Sequence, residues 1–136
     1  MTPSPAVLAV ALYAGLNGLI LFGLAAHVGR TRFRLRISIG DAANPAMIRA
    51  MRGQANFVEY VPLILLQMAL MAALGAPVWV VHVFGVALTL GRLLHGWHFV
   101  QAEAPGWQRA TGSALTFLSL VVGSLGLAAH ALAGML

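Results

Sequence analysis

Four polar residues, Arg49, Arg52, Asn56 and Glu59, stand at relative spacings of 0, 3, 7 and 10 in a chain that is 60% hydrophobic. At about 100° per residue, a helix would hold them within roughly 80° of one another. They form one stripe of two cations, an amide and a carboxylate, running into an apolar segment. Charge inside a membrane helix is costly, so such a stripe marks a functional site by default. Packing between helices would explain a single Arg–Glu pair. Two arginines against one glutamate leave excess positive charge, and a buried guanidinium without a partner calls for an anion. A ligand carboxylate suits it, because guanidinium grips carboxylate through two parallel hydrogen bonds. Asn56 adds a donor and an acceptor.

Further along, Arg92 and His95 lie three residues apart and share a helix face, which Phe99 continues. Arg92 reads either as the partner that neutralises Glu59 or as a direct ligand contact. His95 and His98 lack a cysteine or convergent carboxylate to complete a metal site, so no metal is expected. Arg109 opens the last apolar segment, where an arginine commonly snorkels to the interface. Trp79, Trp97 and Trp107 fall near the ends of apolar segments and fit an interfacial aromatic belt. His27, His82 and His130 read as packing or interface residues.

The elements that must position these groups are set by hydropathy. The chain has 136 residues, a mean hydropathy of +0.89 and 8% charged residues. Soluble domains carry about 25% charge, so lipid must be the solvent. A spanning helix needs about 20 apolar residues. The sequence predicts an all-α polytopic membrane protein, one domain of four spans at about 5–28, 44–74, 78–101 and 109–136. Between the first two spans, residues 29–43 read as a loop carrying Arg30, Arg32, Arg34 and Arg36, and they run into a GDAANP turn and helix start. Pro62 predicts a kink in the second span. Gly75-Ala76-Pro77 is a tight connection, and Ala102–Gln108 is a short polar loop. The positive-inside rule places the Arg-rich loop and the 102–108 loop in the cytoplasm and both termini on the other side. The arginine cluster also suits contact with anionic lipid headgroups. The N-terminus, MTPSPAVLAV, lacks the basic region of a cleaved signal peptide.

Composition excludes several classes. All eight cations are arginine, set against Asp41, Glu59 and Glu103. A pI near 11.5 therefore rests on few charges. No soluble basic face exists for nucleic acid. Cysteine is absent, which excludes disulfides, thiolate metal sites and a cysteine nucleophile. Any thiol chemistry must use the substrate's sulfur.

The run Arg52-Gly-Gln-Ala-Asn56-Phe-Val-Glu59-Tyr60-Val-Pro62 resembles the second-helix signature of the MAPEG family, the membrane-associated proteins in eicosanoid and glutathione metabolism. The resemblance extends to chain length, four spans, a basic first loop and the Gly-Arg-Leu-Leu-His run at Gly91–His95. It covers nearly the whole chain and is similar in style to the small bacterial members. It implies a four-helix subunit assembled as a homotrimer in the bacterial inner membrane. It implies glutathione bound between subunits near the cytoplasmic side, and a lipophilic co-substrate drawn from the bilayer. By motif, Arg52, Asn56, Glu59 and Tyr60 match glutathione contacts, as does Arg49. Arg109 resembles the fourth-helix arginine that stabilises the thiolate. The chain departs from eukaryotic members in carrying His95 and Phe99 where they place tyrosines. It has Gly53-Gln54 where some members have Ala-His, and no tyrosine follows Tyr60.

The residues accommodate that chemistry. Glutathione has two carboxylates for Arg49, Arg52 and Arg92, and an ammonium for Glu59. Its thiol, with a pKa of about 8.5, reacts as thiolate. The expected function is therefore a glutathione transferase or peroxidase attacking lipophilic electrophiles or lipid peroxides. The alternative on the same fold is a non-catalytic lipid-binding or scaffold protein. A small four-span multidrug exporter is argued against, because such proteins centre on a glutamate in the first span and this one has no acidic residue there.

Overall fold

The computed structural model describes residues 2–101, 103 and 105–136. Four helices, α1 (Pro5–Leu35), α2 (Pro45–Ala73), α3 (Val78–Val100) and α4 (Gly106–Met135), follow one another. Each is long and apolar enough to cross a membrane. The four-span all-α architecture expected from hydropathy is what forms. Ala102 and Ala104, within the expected polar loop, lie outside the described residues.

Two helix ends differ from expectation. The first helix does not stop at Val28. It continues to Leu35, so Arg30, Arg32 and Arg34 sit on helix rather than in a loop. Charge marks where hydrocarbon ends, whereas a helix ends where its backbone is capped. Arginine is a good helix former, and cations in a last turn complement the helix dipole. The cap is Arg36, at φ 55°, whose N–H reaches back to the carbonyls of Arg32 and Phe33. The fourth helix starts at Gly106 instead of Arg109, which places Arg109 a turn inside it.

A short hook joins α1 to α2. Gly40, Ala42 and Ala43 all have positive φ, at 69°, 50° and 53°. Alanine seldom adopts that conformation, so local bonds must hold it. Asp41 Oδ1 accepts from the Ala43 N–H at 2.9 Å. Arg32 donates across to the Gly40 carbonyl at 2.7 Å. Asn44 then caps α2, accepting from the N–H groups of Ala46 and Met47 at 3.0 and 3.2 Å. Pro45 follows in the first helical turn, where its missing N–H costs nothing. The helix runs on through Pro62 to Ala73.

Within the bundle, α2 and α3 each touch all the other helices, while α1 and α4 do not meet among the described residues. Phe57, Val61, Ile64 and Met68 of α2 meet Val81 and Leu88 of α3 and Leu24 of α1 in the core. Polar bonds join α1 to α3. The Tyr13 hydroxyl and His82 Nδ1 share a hydrogen bond at 2.9 Å, and fully buried Asn17 donates to Thr89 Oγ1 at 2.9 Å. Such side-chain bonds act as glue where lipid supplies no hydrophobic drive between helices.

Glycines set the α3–α4 crossing. A Cβ on Gly112 would stand 2.6 Å from the Gly91 carbonyl and 2.8 Å from the His95 backbone nitrogen. One on Gly91 would lie 3.1 Å from the Gly112 carbonyl. Backbone faces backbone, so neither side can yield by turning a side chain. Gly112→Val is expected to force the two helices apart at a cost of about 1–3 kcal/mol. Thermal unfolding in detergent should record a lowered Tm, and an unchanged Tm would refute this account of the crossing.

Candidate functional site

At the arginine-rich end of the bundle, α2, α3 and α4 enclose a cavity of about 540 Å³. Helix α2 supplies Arg52, Asn56 and Glu59, and α3 supplies His95 and Phe99. Helix α4 supplies Arg109, Ala110, Ser113 and Phe117. Spacings of three and four residues keep each set on one helix face. Five residues singled out from sequence therefore line one space: Arg52, Asn56, Glu59, His95 and Arg109. Its volume falls within the range typical of small-molecule sites, roughly 300–1,000 Å³.

The other three stand outside that lining. Arg49 is half-buried and donates from Nε to the Gln101 carbonyl at 3.0 Å and from Nη2 to the His98 carbonyl. These are carbonyls at the end of α3, which have no partner within their own helix. Arg49 thus caps α3, and its guanidinium also lies 5.5 Å from the Phe99 ring centre. Tyr60 packs edge-on against Phe117, with ring centres 5.2 Å apart, and so backs the cavity wall.

Arg92 sits behind Asn56 and is only 1% exposed. The expectation that it neutralises Glu59 gives way to a different arrangement. Its Nη2 donates to Asn56 Oδ1 at 2.9 Å, and its Nη1 to Thr116 Oγ1 at 3.3 Å. Thr116 in turn donates to the Gly112 carbonyl at 2.8 Å. The Phe57 ring centre lies 5.6 Å from the guanidinium carbon. Arg92 Nε has no hydrogen-bond partner among the described residues. Glu59, three residues on from Asn56 and on the same face of α2, is exposed like Arg52 and makes no bond to Arg92 among the described residues.

His95 is 2% exposed, and its Nδ1 has no partner among the described residues although the residue lines the cavity. Its ring leans on Phe99 with centres 4.9 Å apart. Phe99 packs in turn over Gly53, where a Cβ would come within 2.7 Å of the Phe99 Cβ. Gly53 therefore lets α2 and α3 approach closely at the cavity rim.

Chemically, the lining opposes two guanidiniums and an amide to one carboxylate, with aromatic rings on the α3 and α4 sides. Such a donor set has the chemistry to hold a small zwitterion with surplus negative charge. Sequence reasoning did not single out Ser113, Phe117 or Thr116. Ser113 lies four residues after Arg109, and Phe117 four after that, so a helical projection from Arg109 would have found both.

The arginine cluster lies at the same end. Arg32 is committed to the hook, while Arg30 bonds back to the Ala26 carbonyl at 3.3 Å. Phe33 and Ile39 stand beside it almost bare, 89% and 87% exposed. At the opposite end, a mainly apolar cavity of about 370 Å³ lies between the α2–α3 turn and α4, bordered by Met71, Pro77, Phe84 and His130.

The MAPEG family model matches residues 10–129, a stretch that contains every residue of the arginine-rich cavity. The inner membrane protein YecN of Escherichia coli strain K12 is 35% identical over 112 residues, covering 82% of this chain and 84% of that protein. Its namesake in Escherichia coli O6:H1 strain CFT073 is similar to the same extent. With four apolar helices long enough to span a bilayer and a family match over most of its length, this membrane protein belongs to the MAPEG family.

Proposed function

We propose that this chain is a glutathione-dependent transferase or peroxidase that turns the glutathione thiol on lipophilic electrophiles or lipid peroxides. The observation that carries the reading is the convergence of Arg52, Asn56, Glu59, His95 and Arg109 on one cavity. Glutathione fits the donor set. A carboxylate suits Arg52, its ammonium suits Glu59, and its peptide groups suit Asn56 and the unpartnered His95 Nδ1, which leaves Arg109 for the thiol. Arg49, Arg92 and Tyr60 support the site from behind its walls. The absence of cysteine makes the co-substrate the source of sulfur.

Arg109 is the residue assigned to the thiol. A free thiol with a pKa of about 8.5 is mostly protonated at neutral pH, and a neighbouring guanidinium favours the reactive thiolate. In conjugation, sulfur bonds to the electrophilic carbon, and the displaced group or ring-opened oxygen takes the electron pair. The apolar reactant enters from the bilayer.

Arg52 and Glu59 remain exposed in the single subunit. Charged side chains at this depth need cover from lipid. A neighbouring subunit of a homotrimer provides it in this reading. The same reading places the arginine-rich end at the cytoplasmic face of the inner membrane. There Arg30, Arg34 and Arg36 face anionic lipid headgroups, with Phe33 and Ile39 entering the interface.

Calorimetry with glutathione on the purified protein tests the site. Wild type should bind, and Arg52→Ala should weaken binding about tenfold or more, as expected for loss of a charge-assisted hydrogen bond. No heat with wild type would abandon this reading for the lipid-binding scaffold. Stopped-flow absorbance at the thiolate band tests Arg109. Arg109→Ala should lose most of the thiolate signal while retaining measurable glutathione binding, and an undiminished signal would remove Arg109 from the mechanism.

A further inference from the structure

A buried cation stands directly behind the one amide in the cavity wall. Arg92 is 1% exposed and donates to Asn56 Oδ1 at 2.9 Å. Arginine has five donors and no acceptor, so the atom of Asn56 that faces it must be the oxygen. The usual ambiguity between amide oxygen and nitrogen does not arise here. Thr116 holds the other arm of the guanidinium at 3.3 Å, and its own hydroxyl proton is committed to the Gly112 carbonyl. The cation is thus fixed from two sides, by α2 and by α4. Asn56 Nδ2 bonds to no protein group among the described residues, and Asn56 lines the cavity.

We propose that Arg92 is a positioning residue that locks the Asn56 amide with its nitrogen towards the cavity, so that Asn56 offers the ligand only donors and selects an acceptor there, a carboxylate or peptide carbonyl. Two physical consequences follow from the lock. Flipping the amide would set Nδ2 against a guanidinium in a water-poor interior, which pairs donor with donor and leaves Arg92 short of another partner. The positive charge on the acceptor side also polarises the amide, which strengthens the outward N–H donors. Arg92 therefore acts on a ligand without touching it, and the lining of the cavity does not include it. Arg92, Asn56 and Thr116 bring one residue from each of three helices into a single chain of bonds, so the fixed Asn56 donor exists only when α2, α3 and α4 are packed together.

The inference takes its ligand from the proposed glutathione site, but the lock itself is testable without any ligand. The decisive binding measurement is a double-mutant cycle with glutathione in the calorimeter. Arg92→Met should weaken binding about tenfold in the wild-type background and by less than about twofold in the Asn56→Ala background. Equal losses in both backgrounds would mean that Arg92 contacts the ligand itself, and would overturn the proposal. Arg92→Lys, which keeps a charged donor, should recover part of the loss. Thr116→Val removes one holder of Arg92 but not the Asn56 contact, and should have an intermediate effect.

The ligand-free measurement is the Asn56 side-chain amide resonance in detergent micelles, assigned by its loss in Asn56→Ala. In wild type its two protons should give separate signals shifted from those of a free asparagine. In Arg92→Met they should move to the free positions. Unmoved signals would refute the lock, including in a protein that gives no heat with glutathione. Wild type without glutathione binding would instead refute the proposed function and leave the resonance to decide the Arg92–Asn56 inference.

Discussion

The structure turns on a guanidinium in a place where charge is expensive. Arg92 is held among three helices with two neutral acceptors and an aromatic face around it. None of these cancels its charge. A full positive charge with only dipoles for company is tolerable where other parts of the structure hold those dipoles firmly. The surrounding packing meets that demand. Glycines at 91 and 112 bring α3 and α4 to backbone contact, which carries Thr116 up to Arg92. Phe57, from the apolar core of α2, lies against the guanidinium, and Asn56 next to it turns the field outward.

That constraint divides the arginines by task. Arg92 works inside the bundle, and Arg49 works at the end of α3, where it closes carbonyls that would otherwise lack partners. Arg32 stitches a backbone hook whose alanines adopt unfavourable angles. Arg52 and Arg109 border the cavity on opposing helices. One side-chain type thus serves as structural cation, helix cap, loop fastener and cavity lining. Which task falls to which arginine depends on what each meets in three dimensions. Lysine, a compact and strongly hydrated charge, would be a poorer choice for the forked contacts.

Much of this was legible in the sequence. Hydropathy alone defined four helices, because lipid demands long apolar segments and a closed backbone. The stripe at Arg52, Asn56 and Glu59 was visible because helical periodicity is local. Two kinds of information were missing. The helix ends at Leu35 and Gly106 differ from those that hydropathy suggests, at Val28 and Arg109, because capping by Arg36 and by the backbone at Pro105 carries no hydropathy signal. The partners of Arg92 were hidden because pairing across helices depends on axial stagger. Glu59, an obvious electrostatic match, lies exposed on the cavity face of α2 and makes no bond to Arg92 among the described residues, whereas Thr116, which does, is a modest hydroxyl in an apolar run. Spacing groups Arg49 with the stripe, yet its guanidinium turns to the end of α3.

The Arg49 cap has a consequence for the chain's tolerance of insertions. Two bonds to the His98 and Gln101 carbonyls fix not only how far α2 reaches but also its rotational phase about its own axis. Residues 52, 56 and 59 inherit that phase, since each step along the helix turns by about 100°. One extra residue between Arg49 and Arg52 would leave hydropathy, length and composition almost untouched. It would nevertheless swing the whole stripe by more than a quarter turn, and carry the amide away from Arg92. The hook from Arg36 to Asn44, lying before the fixed point, is under no such phase control. Length variation among natural relatives should therefore collect in the hook and be absent from the short stretch between the cap and the cavity.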